Sequence, residues 1–351
     1  MGQAHTHLAA RYEHGGNVYA HPACTDFSAN LNPLGMPEAA REALRASVDA
    51  FSCYPDPACT DLLTAIAEFE KVPSAWVVPC AGATDAFERI CQVSKPKGAL
   101  LCAPCYAGYE QALRRAGAAI TYHALHAARG FDVGLEIVET LDANKDLVFL
   151  ANPNNPTGRC VRRDVLLACL EKARSCNALV VLDECFIDLT DCEGSNDLLE
   201  RFPHLVIVKA FTKSFALAGL RLGYALCADE SLTQRLWQAG QMWAVSVPAQ
   251  IAGVACASCT DHLRRSRRLI AQERARLRDA LLGFGLKVVE GQANYLLFEG
   301  PELLGDELLK RGLLVRSCAN FYGLDERWWR IAVRTPGEND LLIGALWEVL
   351  K

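Results

Sequence analysis

The sequence has no apolar run of about 18 residues, the length that a membrane-spanning helix requires. Its first residues, Met1 to Thr6, are polar and lack the apolar segment of a secretory signal. Neither sign of charge dominates, because 36 Lys and Arg stand against 41 Asp and Glu, for a net charge of -5. Such a balance gives no long-range attraction for nucleic acid or an anionic membrane. We therefore expect a cytoplasmic protein without nucleic-acid or membrane partners, whose ligands are small molecules.

Cysteine is abundant, with 16 residues in a chain of 351. Without a secretory signal, these cysteines are expected to be reduced and to pack as small apolar side chains. Two pairs have a spacing seen in metal sites, Cys102 with Cys105 and Cys256 with Cys259. The two pairs lie far apart in the sequence and do not resemble a zinc ribbon, so we predict no metal site.

The segment 209–224 carries the clearest chemical signal. It lies between two apolar runs, 205–208 and 222–227, that are typical of buried strands. The segment contains Lys213 after Thr212, then Arg221, with glycines that allow close backbone approach. This combination suits a lysine that attaches covalently to the aldehyde of pyridoxal phosphate while its neighbours hold the phosphate. The alternative, an exposed loop lysine, is the ordinary explanation for any single lysine.

Seven apolar segments alternate with helical ones and predict an α/β fold. Such runs are typical of a large domain with a mainly parallel seven-stranded sheet that is covered on both faces. In these sheets, ligands bind beyond the carboxyl ends of the strands. The segments are 76–78, 99–101, 119–122, 147–150, 179–182, 205–208 and 222–227.

Polar and aromatic residues directly follow these strands. Asp183 would pair with the pyridine nitrogen of the cofactor, Asn155 would donate to its phenolic oxygen, and Tyr106 would cover one face of its ring. Small residues at 82–84 begin a helix, whose free N–H groups suit a phosphate. Each feature alone has an ordinary structural explanation, but together they account for one cofactor. The predicted cofactor residues are Gly82, Ala83, Thr84, Tyr106, Asn155, Asp183, Thr212, Lys213 and Arg221, with Lys213, Asp183 and Tyr106 as the catalytic candidates.

Three regions are expected. Residues 1–34 are rich in Gly, Asn and Pro and predict an arm that lies across another surface. Residues 35–240 form the large cofactor-binding domain. Residues 241–351, with short strands and helices, predict a small C-terminal α+β domain.

These motifs resemble those of the fold-type-I pyridoxal-phosphate enzymes of the class I/II aminotransferase superfamily. The resemblance covers nearly the whole chain and rests on 155–158, on Asp183 with Glu184, and on Thr212 with Lys213. Within the superfamily the chain is similar to the histidinol-phosphate aminotransferases and, more closely, to the threonine-phosphate decarboxylases of cobalamin biosynthesis. The closer similarity rests on residues 14–17, 26–37, 183–188, 316–321 and 329–334.

The resemblance implies further site residues. Arg330 matches the arginine that binds the substrate α-carboxylate, and Arg316 one that reaches a substrate phosphate. His14 and Asn30 match arm residues at the phosphate end of the pocket, and Asn155 also faces the substrate. Tyr54 matches a tyrosine that contacts the cofactor phosphate of a neighbouring subunit. A homodimer with shared active sites is therefore implied.

The implied reaction is decarboxylation of L-threonine O-3-phosphate to (R)-1-amino-2-propanol O-2-phosphate. Three alternatives remain: serine phosphate as the substrate, an aminotransferase, or a catalytically silent cofactor-binding regulator. Two departures bear on the choice. Phe186 replaces the tyrosine that is usual in related aminotransferases, and the arm between Asn17 and Asp26 is shorter than in the enterobacterial decarboxylases.

Overall fold

The structure, a computed structural model, describes residues 14–351. Apolar strands alternate with helices through the first two thirds of the chain, as the sequence predicts. The helices are α1 Glu38–Ala46, α2 Thr60–Glu70, α3 Ala83–Ser94, α4 Ala107–Arg115, α5 Ile137–Thr140, α6 Arg163–Cys176, α7 Phe211–Ser214, α8 Glu230–Ala239, α9 Val247–Ala257, α10 Thr260–Gly283, α11 Leu304–Leu309 and α12 Pro336–Leu350. The strands are β1 Thr25–Asp26, β2 Val77–Cys80, β3 Gly98–Ala103, β4 Ala119–Ala124, β5 Leu147–Ala151, β6 Leu179–Asp183, β7 Leu205–Ala210, β8 Gly223–Leu226, β9 Lys287–Val288, β10 Tyr295–Glu299, β11 Leu313–Leu314, β12 Arg316–Ser317 and β13 Trp328–Ala332.

The large sheet has seven strands in the order β2-β8-β7-β6-β5-β3-β4. Strand β8 is antiparallel to both of its neighbours, and the other strands run parallel to one another. Successive residues of β3 face two different apolar cores, since Leu100 belongs to one and Leu101 to the other. Both faces of the sheet are therefore buried, which explains why its strands are continuous apolar runs. The predicted α/β fold with a mainly parallel seven-stranded sheet is confirmed.

A smaller antiparallel sheet in the order β12-β13-β10-β9 is formed by the C-terminal part of the chain. It packs with α10, α11 and α12 around a third apolar core that includes Leu277, Leu296 and Leu342. Residues 313–317 form two short strands with different partners. Strand β11 pairs with β1, whereas β12 pairs with β13.

Residues 25–32 of the predicted N-terminal arm pack against other parts of their own chain. Strand β1 pairs in parallel with β11, and Phe27 is fully buried in the third core. The Phe27 N–H donates to the Leu314 carbonyl at 2.8 Å, and its own carbonyl accepts from Ala332 N at 2.8 Å. This part of the arm is thus fixed against the strands that carry Arg316 and Arg330.

Most of the cysteines in the described residues pack as expected. Nine of the free cysteines in the described residues are buried, in keeping with an apolar packing role. Cys160 and Cys192 instead pair as a disulfide between two loops, with Cα atoms 7.1 Å apart. Within residues 14–351, no cluster of three or more His, Cys, Asp or Glu side chains could hold a metal ion. No helix in the same range combines the length and apolar character needed to cross a membrane.

Candidate active site

A cavity opens at the carboxyl ends of the parallel strands and extends to the small sheet. It brings together residues from ten separate parts of the sequence. Of the residues predicted for the site, it is lined by His14, Asn30, Ala83, Thr84, Tyr106, Asn155, Asp183, Thr212, Lys213, Arg221, Arg316 and Arg330. Gly82 and Tyr54 lie outside its lining.

Lys213 lies on the one-turn helix α7, which begins directly after β7. The end of a central parallel strand is fixed by its neighbours, so this lysine has a defined position in the cavity. Burial lowers the pKa of Lys213 to about 8, and the positive charge of Arg330 adds to the effect. A lowered pKa makes the neutral amine available near neutral pH, as attachment to an aldehyde requires.

Asp183 ends the neighbouring strand β6 and is 9% exposed. Its carboxylate accepts hydrogen bonds from the Tyr109 hydroxyl and from Cys185 N, the latter at 2.9 Å. Burial raises the pKa of Asp183, although its hydrogen bonds and the positive charge of Lys213 act against the increase, and in the described part of the chain no cation lies within 4 Å of its carboxylate. A buried acid without a cationic partner fits a protonated pyridine nitrogen, which would supply the missing charge.

The N-terminus of α3 lies at the part of the cavity that is predicted to hold the cofactor phosphate. Gly82 precedes this helix with a φ of 85°, and a Cβ at Gly82 would lie 2.8 Å from the Arg221 guanidinium. A Cβ at Gly223, on β8, would lie 2.7 Å from Ala83 N. The two glycines therefore allow Arg221 and the first helical N–H groups to approach one another. Helix N–H groups beside a guanidinium form a site for a dianionic phosphate.

Aromatic side chains line the region between Lys213 and Asp183. The Tyr106 ring lies 5.7 Å from the His14 ring. The Phe186 ring lies 5.9 Å from Lys213 Nζ. A flat cofactor ring would therefore meet aromatic surface, and residue 186 has no hydroxyl to offer its phenolic oxygen.

Two buried arginines form the substrate end. Arg316 on β12 and Arg330 on β13 lie directly opposite each other in the antiparallel register, and they are 6% and 5% exposed. Like charges at opposed positions repel, and more so when they are desolvated. An anionic ligand between them would remove this cost.

The contacts of the two arginines orient them towards the cavity. Arg330 donates from Nη1 to Asn155 Oδ1 and from Nη2 to the Ser28 carbonyl, the latter at 2.8 Å. Its Nε is buried and has no hydrogen-bond acceptor among the described residues. Arg316 donates to Asn320 Oδ1 at 2.7 Å. The Arg330 Nε is thus a buried donor that a bound carboxylate would satisfy.

Tyr54 lies away from the cavity of its own chain. Its side chain is 79% exposed and stacks on the Trp243 ring at 4.6 Å. The predicted contact between Tyr54 and a cofactor phosphate is therefore not made within one chain, and it stays a prediction for an assembly of two chains.

Sequence reasoning did not predict twelve of the residues that line the cavity, and five of these form hydrogen bonds or ring contacts with Asp183, Arg316 or Arg330. Tyr109 lies three positions after Tyr106, on the same face of α4, and Asn320 and Phe321 follow Arg316 in the loop that it contacts. For Tyr109 the helical spacing from Tyr106 was an available signal. No sequence pattern points to the other four, because tertiary packing alone places them at the cavity. Those four are Ser28, Cys185, Asn320 and Phe321.

The sheet order, the lysine after β7 and the acid after β6 define a pyridoxal-phosphate-dependent enzyme of fold type I. The chain belongs to the family described as aminotransferase class I and II, whose model matches residues 22–346.

The chain is also similar to individual members of this family. The chain is 35% identical to the threonine-phosphate decarboxylase of Salmonella typhimurium, over 96% of each protein. It is 34% identical to histidinol-phosphate aminotransferase 2 of Ralstonia nicotianae, over 92% of this chain and 88% of the relative. The crystal structure of L-threonine-O-3-phosphate decarboxylase from Porphyromonas gingivalis superposes with a TM-score of 0.82 at 25% identity, covering 92% of this chain and 98% of that one.

Proposed function

We propose that this protein decarboxylates L-threonine O-3-phosphate to (R)-1-amino-2-propanol O-2-phosphate with bound pyridoxal phosphate. The product suits the cobalamin pathway that the sequence resemblance implies. The observation that carries the proposal is the opposed, buried pair Arg316 and Arg330 beside Lys213. A substrate with a phosphate at one end and a carboxylate at the other offers one anion to each guanidinium.

Orientation of the substrate selects the bond that breaks. When bound, pyridoxal phosphate supplies an electron-accepting ring that stabilises negative charge on the substrate α-carbon. Arg316 would hold the substrate phosphate, and Arg330 its carboxylate. With both ends fixed, the two arginines would hold the substrate in one orientation, the one in which the bond between its α-carbon and its carboxylate can break. Binding energy from the remote phosphate is thereby used at the reacting carbon.

Two further side chains would complete the reaction. Lys213, with a pKa lowered to about 8, holds a proton that it can give to the α-carbon after carbon dioxide leaves. Asp183 keeps the ring nitrogen protonated through the charge of its carboxylate. The carboxyl group is thus replaced by one proton, which balances the conversion of the amino acid into an amine and carbon dioxide.

We also propose a homodimer in which Tyr54 reaches the cofactor phosphate of the partner subunit. An exposed apolar surface supports this assembly, and we call it the 48–54/242–243 surface. Its exposed side chains are Val48, Phe51, Tyr54, Met242 and Trp243. Apolar patches of this kind mark protein interfaces.

The test is incubation of the purified protein, loaded with pyridoxal phosphate, with threonine phosphate in the absence of any keto acid. We expect release of carbon dioxide and formation of the phosphorylated amino alcohol. The same assay with serine phosphate is the specificity control. One methyl group is worth about 1–3 kcal/mol of discrimination, so the expected preference for threonine phosphate is about 10- to 200-fold.

Two results would refute the proposal. A faster reaction with serine phosphate would replace the proposed substrate with its lower homologue. Turnover that depends on a keto acid and releases no carbon dioxide would instead indicate an aminotransferase, as in the histidinol-phosphate relative.

A further inference from the structure

Residues 28–32 connect the substrate arginine to the catalytic lysine, and we call this segment the 28–32 strap. At its first residue, the Ser28 carbonyl accepts from Arg330 Nη2 at 2.8 Å. Between its ends, Asn30 is 2% exposed and lines the cavity, and the Leu31 carbonyl accepts from Asn294 Nδ2 at 3.2 Å. The strap therefore contacts both Arg330 and the cavity.

The last residue of the strap, Asn32, contacts the helix that carries Lys213. Its backbone N–H donates to the Lys213 carbonyl at 3.1 Å. Its side-chain amide donates to the Ser214 carbonyl and to Ser266 Oγ, both at 2.7 Å, and its Oδ1 accepts from Leu34 N at 2.9 Å. Asn32 is 3% exposed, and its hydrogen bonds join α7 to α10 and to the strap.

Helix α7 depends on such external contacts for its position. It has only four residues, Phe211–Ser214, and a single turn is unstable without tertiary contacts. The two carbonyls to which Asn32 donates, those of Lys213 and Ser214, lie at its C-terminal end, where carbonyls have no partner within the helix. The backbone N–H of Asn32 thus holds the carbonyl of the catalytic lysine, and its side-chain amide holds the next carbonyl along the chain, that of Ser214.

We propose that Asn32 is a positioning residue for Lys213, and that the 28–32 strap fixes the lysine relative to the substrate arginine Arg330. The proposal rests on the proposed function for the assignment of Lys213 as the cofactor lysine. Asn32 does not touch the substrate or the cofactor in this arrangement. It acts through the backbone of Lys213.

The test replaces Asn32 with Ala and compares the variant with Asn339→Ala. Asn339 is a matched control because it is fully buried and donates from Nδ2 to Glu273 Oε2 at 2.8 Å and to the Arg334 carbonyl at 2.9 Å. Both changes remove a buried amide with two donated hydrogen bonds, but Asn339 lies on α12, away from the cavity.

Two properties are measured on each protein. The first is kcat and KM for threonine phosphate. The second is the pH midpoint of the visible absorbance of the lysine-bound cofactor, which needs no turnover. For Asn32→Ala we expect kcat to fall about 10- to 100-fold, with a smaller change in KM, because a small displacement of a catalytic group has costs of this order. We also expect a displaced pH midpoint, whereas Asn339→Ala keeps the kcat and midpoint of the native protein.

A milder variant keeps the test decisive if Asn32→Ala does not fold. Ser266→Ala removes one of the two acceptors of the Asn32 amide, and we expect a smaller displacement of the midpoint in the same direction. A native midpoint and a native kcat in every Asn32 and Ser266 variant that folds would overturn the positioning role. Absence of the visible absorbance from the native protein would instead refute the proposed function.

Discussion

At the scale of single residues, the contact between Tyr109 and Asp183 sets the charge at the base of the cavity. Replacing Tyr109 with Phe removes only the hydroxyl that donates to the Asp183 carboxylate. A hydrogen bond to a charged group contributes about 1.5–3 kcal/mol, so we expect kcat/KM to fall about 10- to 150-fold. Steady-state kinetics check this expectation.

The matched control for Tyr109→Phe is Tyr224→Phe. Tyr224 is equally buried, and its hydroxyl donates to Glu70 in a network that also contains Lys209. Loss of this hydroxyl is expected to lower stability and to leave kcat/KM close to the native value. If both variants lost the same activity, the special role of Tyr109 would be wrong.

Glu184 makes folding stability depend on pH. Burial raises its pKa from 4.5 to about 7, although the positive charge of Lys209 and hydrogen bonds from Ser195 and Asn152 act against the increase. Between these two pH values, the folded protein retains a proton that the unfolded chain has released. The contribution of this group to stability is therefore full below pH 4.5 and decreases as the pH rises towards 7.

The variant Glu184→Gln has no titrating group at this position. The free energy of unfolding of both proteins is measured by urea denaturation at several pH values. We expect the difference, variant minus native, to increase as the pH rises from 4.5 to about 7. A difference between the two proteins that does not change with pH in this window would contradict the prediction.

At the scale of elements, the meeting of α3 with β8 forms the predicted phosphate site. A Cβ at Gly223 would come within 2.7 Å of Ala83 N, so Gly223→Ala must displace the start of the helix. We expect the Kd for pyridoxal phosphate to increase about 10-fold or more, measured by titration of the apoprotein, because backbone N–H groups would no longer converge on the phosphate.

Gly219→Ala is the control for this substitution. Gly219 lies in the same loop region as Arg221, and a Cβ there would meet no atom within 4 Å. Its Kd should therefore stay near the native value. Equal weakening by both substitutions would show that the close approach at Gly223 is not what forms the site.

The elements of the large sheet could be predicted from the sequence, but those near the domain junction could not. Six of the seven strands are almost entirely buried, so each of these is a continuous apolar run with a clear signal, whereas the edge strand β4 is only partly buried. The helical region after residue 230 is three helices, α8, α9 and α10, because the chain turns at 240–246 before Ser246 caps α9. Helix α9 packs against α1 and α2. The domain boundary at 240/241 therefore stays a prediction.

Some of the site residues could be predicted from the sequence, and others could not. Lys213, Asp183 and Asn155 follow strands directly, where parallel topology brings side chains together, and they could be predicted. Asn32 could not, because its role depends on a contact with Ser214, 182 positions away in the sequence. No local pattern in the sequence reports such a contact.

At the scale of the whole molecule, the proposed dimer makes the active site depend on assembly. Met242, on the 48–54/242–243 surface, is 73% exposed, and Met242→Glu would place a charge in the proposed interface. We expect a monomer of reduced activity, because the cofactor phosphate would lack Tyr54 of the partner. Sedimentation equilibrium and kinetics measure the two effects.

Leu341→Glu is the control for the dimer. Leu341 is 59% exposed on α12, outside the 48–54/242–243 surface, and its replacement should leave a fully active dimer. A native protein that is monomeric and fully active would contradict the shared-site proposal.

The most direct test of the proposed function follows the hydrogen atoms on the substrate α-carbon. Threonine phosphate is converted in D₂O, and the product is examined by NMR. We predict that the product keeps its original α-hydrogen and gains one deuterium in place of the carboxyl group, because Lys213 delivers a solvent-derived proton only after carbon dioxide has left. Loss of the original α-hydrogen, with the carboxylate retained, would show that the Arg316 and Arg330 pair directs transamination instead.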